Sequence, residues 1–249
     1  MLSTQLASRW LKRIGQWLVI VTVSLVCLRL GFWQLSRAEE KQALFDRYEL
    51  SIKQPPIPVR DIATLQQLRS GSDSIHRIIL IGRYDSAHQL LLDNQVHEGW
   101  AGLRVWTPLR LSDGVVLVDR GWVPWGRTRE QLPAIEVSQE ERTVTGILSH
   151  FPEAGMRAGQ GIEAGDWPRL VNYPRWEELQ AATGIQVAPV LLLLDPDVDD
   201  GYLRNWRPQV MQPSTHYGYA IQWFSLSVVW LILIGAWYGH RYKGKADAV

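Results

Sequence analysis

Near the C-terminal end of the chain, His216, Tyr219, Ala220 and Trp223 recur at helical spacing, so a helix would carry all four on one face. The seven-residue step continues to Trp230 and Trp237. An imidazole at the outer boundary of an apolar helix can stay neutral, and a neutral imidazole can ligate haem iron. Tyr219 and Trp223 would then pack on the face or edge of the macrocycle. Gln222 lies off this face. An amide in hydrocarbon costs free energy without a partner, so Gln222 is expected to bond to a second helix. The N-terminal apolar run offers two candidates of its own, Arg29 and Gln34, close to Phe32 and Trp33. Arg29 can snorkel to the outer headgroups. Alternatively, Arg29 and Gln34 face the second helix and receive a carboxylate such as a haem propionate. An interfacial aromatic belt explains Tyr217, Tyr219, Trp237 and Tyr238, but not Trp230 near mid-membrane.

Two further stretches invite a chemical reading. "VLVDRGWVP", residues 116–124, ends an apolar strand in Asp119, Arg120, Gly121 and Trp122. Either Gly121 permits a bulge, Trp122 covers a core edge and Asp119 fixes Arg120, or the four residues form a partner-docking surface. "DPDVDDG", residues 195–201, imitates a calcium loop. That loop requires glycine at its sixth position and a bidentate glutamate at its twelfth, where this chain has Asp200 and Trp206. An acidic turn after a buried strand is the better account. The sequence contains no G-x-S-x-G elbow, no H-E-x-x-H pair and no phosphate-binding glycine loop, so no enzymatic activity is expected. His76, His88, His97 and His150 are scattered through strands and turns.

Cys27 is the only cysteine, which excludes a CxxC thiol pair, covalent c-type haem attachment and a disulfide framework. Three methionines are too few for a methionine-rich copper site. The net charge of +1 gives no excess of basic residues for nucleic acid.

Two apolar segments must position these residues. They occupy residues 14–35 and 214–238, each long enough to cross roughly 30 Å of hydrocarbon. Charge sorts the sides. Arg9, Lys12 and Arg13 precede the first segment, and Arg241, Lys243 and Lys245 follow the second. Residues 38–215 hold 18 of the 26 basic residues against 24 of the 25 acidic ones, a net of −6. Basic tails stay in the cytoplasm, so tails 1–13 and 239–249 are expected inside, with residues 36–213 outside. No small-x-small site follows the first segment, which favours an uncleaved anchor over a signal peptide.

The expected fold class is a membrane protein of α+β type, with two transmembrane helices flanking one mainly antiparallel β domain. "RAEEKQALFDRYEL" continues the first helix beyond the membrane, and "QPPIPVR" stops it. "DIATLQQLRSG" reads as a short helix with Asp61 near its start. Six runs are rich in Val, Ile and Leu and bounded by turn residues: "HRIILIGRY", "QLLLD", "LRVWTPLRL", "GVVLVDRGWVP", "RTVTGILS" and "APVLLLLD". They predict a sheet closing toward a barrel or a sandwich, with the helix "PRWEELQAATG" before the last strand.

Four motifs resemble the Surfeit locus protein one family of cytochrome c oxidase assembly factors. "LGFWQLSRAEEK" is similar to the family's exit from the first span, and "GWAGLRVWTPL" to its glycine-rich strand ending in T-P-L. "VLVDRGWVP" resembles its most distinctive internal motif, and "HYGYAIQWF" its entry to the second span. Family members usually carry Asn or Arg before that histidine, where this chain has Thr215. The resemblance implies a multi-pass protein of a bacterial-type inner membrane, with both termini cytoplasmic and a periplasmic domain. It also implies a role around haem a insertion into the oxidase catalytic subunit, with His216 as candidate haem ligand. The implied partners are oxidase subunit one and the haem a synthase. A cofactor-free scaffold stabilising an oxidase assembly intermediate is the alternative.

Overall fold

The computed structural model describes residues 2–70, 75–126, 128–129, 131–152, 161–163, 165–184, 186–206 and 210–246. The chain divides into two compact units: residues 1–46 with 208–249, and residues 47–207.

The first unit consists of two long helices. α1 spans Leu2–Lys53 and contains no proline. α4 spans Pro213–Ala246 and opens on a proline, whose missing N–H is no loss in a first helical turn. Both are long and apolar enough to cross a membrane. Three side-chain pairs fix their antiparallel register: Trp17 stacks on Tyr238, Phe32 meets Phe224 edge-on, and Gln34 meets His216. From Trp17 to Gln34 is about 26 Å along a helix, and from Tyr238 to His216 about 33 Å. These pairs therefore bracket a length close to the hydrocarbon thickness.

The second unit is an eight-stranded sheet with two short helices. After the "QPPIPVR" break come β1 (Ile57–Pro58) and α2 (Ile62–Ser70). Asp61 accepts from the Thr64 backbone N–H at 2.7 Å, capping one of the helix's orphan donors. The strands β2 (Arg77–Tyr84), β3 (Leu90–His97), β4 (Trp100–Arg110), β5 (Val115–Pro124) and β6 (Glu141–Ser149) follow. Next are β7 (Arg169–Val171), α3 (Trp176–Thr183) and β8 (Val187–Leu194).

The sheet order is β1-β2-β6-β8-β5-β4-β3-β7, and β2 also pairs with β4. That extra pairing, Arg83 with Arg110 and Tyr84 with Leu109, closes β2, β6, β8, β5 and β4 into a ring. The domain is thus a small barrel rather than a sandwich, with β1, β3 and β7 added outside the ring.

Alternation along β5 and β8 explains their unbroken apolar runs. Val116, Val118, Val190, Leu192 and Leu194 face one core cluster with Ile78, Leu80 and α2's Leu65. Val115, Leu117, Val187 and Leu191 face a second cluster with Leu90, Trp106 and α3's Leu179. Both faces of these strands are covered, so both sets of side chains must be apolar.

Candidate functional site

The helix pair holds most of the candidate residues. On α1 a stripe of buried or half-buried positions runs through Ser24, Cys27, Gly31, Gln34 and Ala38; on α4 the matching stripe is His216, Ala220, Trp223, Ser227, Trp230 and Ile234. Both advance by alternating steps of three and four residues, the period of a left-handed helix pair. The small residues allow close approach. At Gly31 an added Cβ would meet the Phe224 ring at 2.5 Å, so this glycine is where the Phe224 ring seats. Trp230 owes its mid-helix position to this seam.

At the end remote from the termini, His216 Nδ1 lies 2.8 Å from Gln34 Oε1. The amide oxygen accepts, so Nδ1 is the donor of this bond, and in the neutral ring that tautomer leaves the Nε2 lone pair free. A second hydrogen-bonded partner that fixes the tautomer is the arrangement of a metal-ligating imidazole. The remaining candidates separate. Trp223 is half-buried two turns further along α4, whereas Tyr219 is 44% exposed. Arg29 is exposed and does not share the α1 stripe with Gln34. Gln222 is also exposed, so the expectation that it ties the helices together is corrected: Gln34 makes the interhelical bond instead. A residue two positions from Ala220 points some 200° around the helix from it, which carries Gln222 off the seam.

The "DRGWVP" strand is mostly interior. Asp119 and Arg120 are buried, so their side chains offer no surface to a partner; Gly121 is also buried and Trp122 is half-buried. Asp119 does not fix Arg120. It accepts from Trp106 Nε1 at 2.6 Å, from Arg104 Nη2 at 2.7 Å and from the Gly121 backbone N–H at 3.0 Å. Burial pushes the Asp119 carboxyl up, against the pull of Arg104 and its other donors. Arg120 points to the opposite side. It donates to Gln89 Oε1 at 3.1 Å, and to the carbonyls of Asp200, Ile135 and Glu136. Burial lowers its pKa, since the guanidinium's neighbours are mostly neutral acceptors.

One extra residue on β5 opposite Arg104 and Trp106 makes the bulge, and Gly121 sits in it at φ +112°. The indole of Trp122 covers Gly102, which leaves no room for a Cβ there.

The calcium-like loop is held by arginines. Arg77 binds Asp195 at 2.7 Å, Arg142 pairs with Asp200, and Arg204 donates to the carbonyls of Asp195, Pro196 and Val198. Among the described residues, no His, Cys, Asp or Glu cluster could hold a metal ion.

Two clusters were not singled out from the sequence. Asp85 accepts from Arg110 at 2.5 Å and meets His88 Nδ1 at 2.8 Å. Burial would raise the Asp85 carboxyl, but these bonds outweigh it and hold the group below its ordinary value. The other cluster places Arg120 and Arg142 over the Tyr84 ring. Burial drives that phenol up to about 12 despite the arginines. Arg110 joins the local Asp85–His88 pair from β4, and Arg120 and Arg142 reach Tyr84 from distant parts of the chain, so local spacing does not announce either cluster. The helix seam was more accessible: Ser24, Gly31 and Ala38 recur at seven residues.

Two apolar helices bracketing a small closed barrel define a membrane-anchored α+β protein. The profile of the SURF1 family matches residues 21–228, most of the chain. The chain belongs to the SURF1 family, a family of oxidase assembly factors rather than catalysts. It is similar to a SURF1-like protein of Monosiga brevicollis, 24% identical over 92% of this chain and 89% of that one. A SURF1-like protein of Rickettsia felis is 28% identical over 42% of this chain and 45% of its own length.

Proposed function

We propose that this protein assists assembly of a haem-copper cytochrome c oxidase by holding haem a and presenting it to the catalytic subunit. The observation that carries the proposal is the His216–Gln34 bond, which engages Nδ1 and leaves Nε2 as the ring nitrogen available to a ligand. Haem a is the cargo in this reading. His216 Nε2 would hold the haem iron, and Gln34 would keep the imidazole in the ligating tautomer. The half-buried Trp223 offers an aromatic edge to the macrocycle. Arg29, about 7 Å inward of Gln34 along α1, offers a guanidinium to a propionate. Tyr219 contributes contact from its exposed face.

The basic tails hold both termini in the cytoplasm of a bacterial-type inner membrane and set the barrel domain in the periplasm. Oxidase subunit one receives the haem, and the haem a synthase supplies it. The scarcity of docking groups in the "DRGWVP" strand moves the expected partner contacts to the helix pair, with Trp122 as the accessible member of that motif.

The test is the absorbance of the full-length protein purified from cells that make haem a. A haem spectrum is expected, lost in His216→Ala and weakened by about tenfold in affinity in Gln34→Leu. Unchanged haem content in His216→Ala would remove His216 as ligand and favour a cofactor-free scaffold.

A further inference from the structure

At the other end of the helix pair, residues 15–20 of α1 and 230–238 of α4 enclose a groove of about 720 Å³. Gly15, Gln16, Val19 and Ile20 form one wall, and Trp230 and Tyr238 belong to the other. Its length, from Trp230 to Tyr238 or about 12 Å, is close to the roughly 15 Å half-thickness of bilayer hydrocarbon. A Cβ at Gly15 would meet nothing within 4 Å, so the groove is open along this glycine. The Tyr238 hydroxyl is buried without a hydrogen-bond partner. It belongs to the last apolar turn before Arg241, which the basic residues beyond it assign to the headgroup boundary. The Trp230 Nε1 also lacks an acceptor, but two turns deeper it is out of reach of headgroup oxygens and serves here as an apolar floor.

Charge identifies the occupant. In the sequence Arg9, Lys12 and Arg13 precede the groove residues of α1, and Arg241, Lys243 and Lys245 follow those of α4, opposed only by Asp247. Six basic residues flanking the groove segments in the sequence suit an anionic headgroup above an acyl chain.

We propose that this groove binds an anionic diacyl phospholipid from the leaflet on which both chain termini lie. One acyl chain lies along Gly15, Val19 and Trp230, the Tyr238 hydroxyl donates to an ester or phosphate oxygen, and the positive charge of the flanking sequence favours an anionic headgroup. The lipid fixes the termini end of the helix pair, while His216 and Gln34 occupy the opposite end.

The test is native mass spectrometry of the full-length protein, released from bilayers of equal phosphatidylglycerol and phosphatidylcholine. Retained phosphatidylglycerol is expected, favoured over phosphatidylcholine by about tenfold or more. Gly15→Phe places a ring in open space, where it displaces the chain without a clash; it is expected to lose the retained lipid. Replacing Arg9, Lys12 and Arg13 with Gln is expected to reduce the preference for the anionic lipid. Equal retention of both lipids would overturn the proposal. So would phosphatidylglycerol retained undiminished by Gly15→Phe, since the basic tails alone would then account for it. A lipid-free dimer would also overturn it, by assigning the groove to a second copy.

Discussion

Replacing Gly121 with alanine perturbs the bulge on β5 in two separable ways. Its φ of +112° is a conformation that L-residues rarely adopt, and forcing an alanine there costs about 1–3 kcal/mol. The new Cβ would also stand 2.7 Å from the Leu203 carbonyl oxygen and 2.8 Å from Arg204 Cγ. That carbonyl cannot simply yield. It accepts from the Trp122 N–H at 2.9 Å, and the same connection is held by Leu203 N–H to Trp122 O and Tyr202 N–H to Arg120 O. Displacing it strains three bonds worth about 1 kcal/mol each. Gly99 separates the two terms: its φ is +85°, yet a Cβ there meets nothing within 4 Å. Gly99→Ala therefore carries strain alone, about 1–2 kcal/mol, and Gly121→Ala about 3–5 kcal/mol. For a domain of this size each kcal/mol moves Tm by about 2–4 °C, so Gly121→Ala is expected to lower Tm by roughly 10 °C. Thermal unfolding of the full chain in detergent, followed by near-ultraviolet dichroism of the buried tryptophans, reads the difference. Equal shifts for the two variants would refute the packing argument and leave backbone conformation as the only cost.

Three other perturbations follow from buried groups. The folded Asp85 carboxyl lies below its ordinary 3.8, so its stabilisation is present above that value and is lost as pH falls through the folded pKa. Asp85→Asn should lower stability at neutral pH and flatten the acid limb of the stability profile below about pH 4, measured by urea unfolding at a series of pH values. Tyr84→Phe removes a buried hydroxyl that has no partner, yet keeps the ring beneath Arg120 and Arg142. It should leave stability unchanged or raise it by up to about 1 kcal/mol in the same assay, and a loss above about 2 kcal/mol would show that the hydroxyl is bonded. Leu65→Ala opens a cavity between α2 and the first core cluster and should cost about 2–5 kcal/mol, against less than about 0.5 kcal/mol for the exposed neighbour Gln66→Ala.

What could be read from the chain depended on whether the cause was local. Six strands were legible because each is a run of apolar residues closed by turn residues. β1 and β7 were not, having two and three residues and no run to detect. Closure of the barrel rests on two residue pairs between β2 and β4, and no local pattern encodes a pairing of that kind. Asp119 does not pair with Arg120, and the reason lies in strand geometry. Neighbours on a strand point to opposite faces, so Asp119 turns to Arg104 and Trp106 while Arg120 turns to Gln89.

The helix pair obeys the same logic at a different period. The stripe from His216 through Trp223 to Trp230 was visible, but it is only half of a seam; Ala220, Ser227 and Ile234 interleave with it at steps of four and three. Once the full seam is drawn, Gln222 falls outside it. On α1 the seam selects Gln34 and leaves Arg29 exposed. A polar residue in an apolar helix is thus interpretable only with its angular position: the same amide that would be an unpartnered cost on the outer face becomes, at Gln34, the group that orients His216.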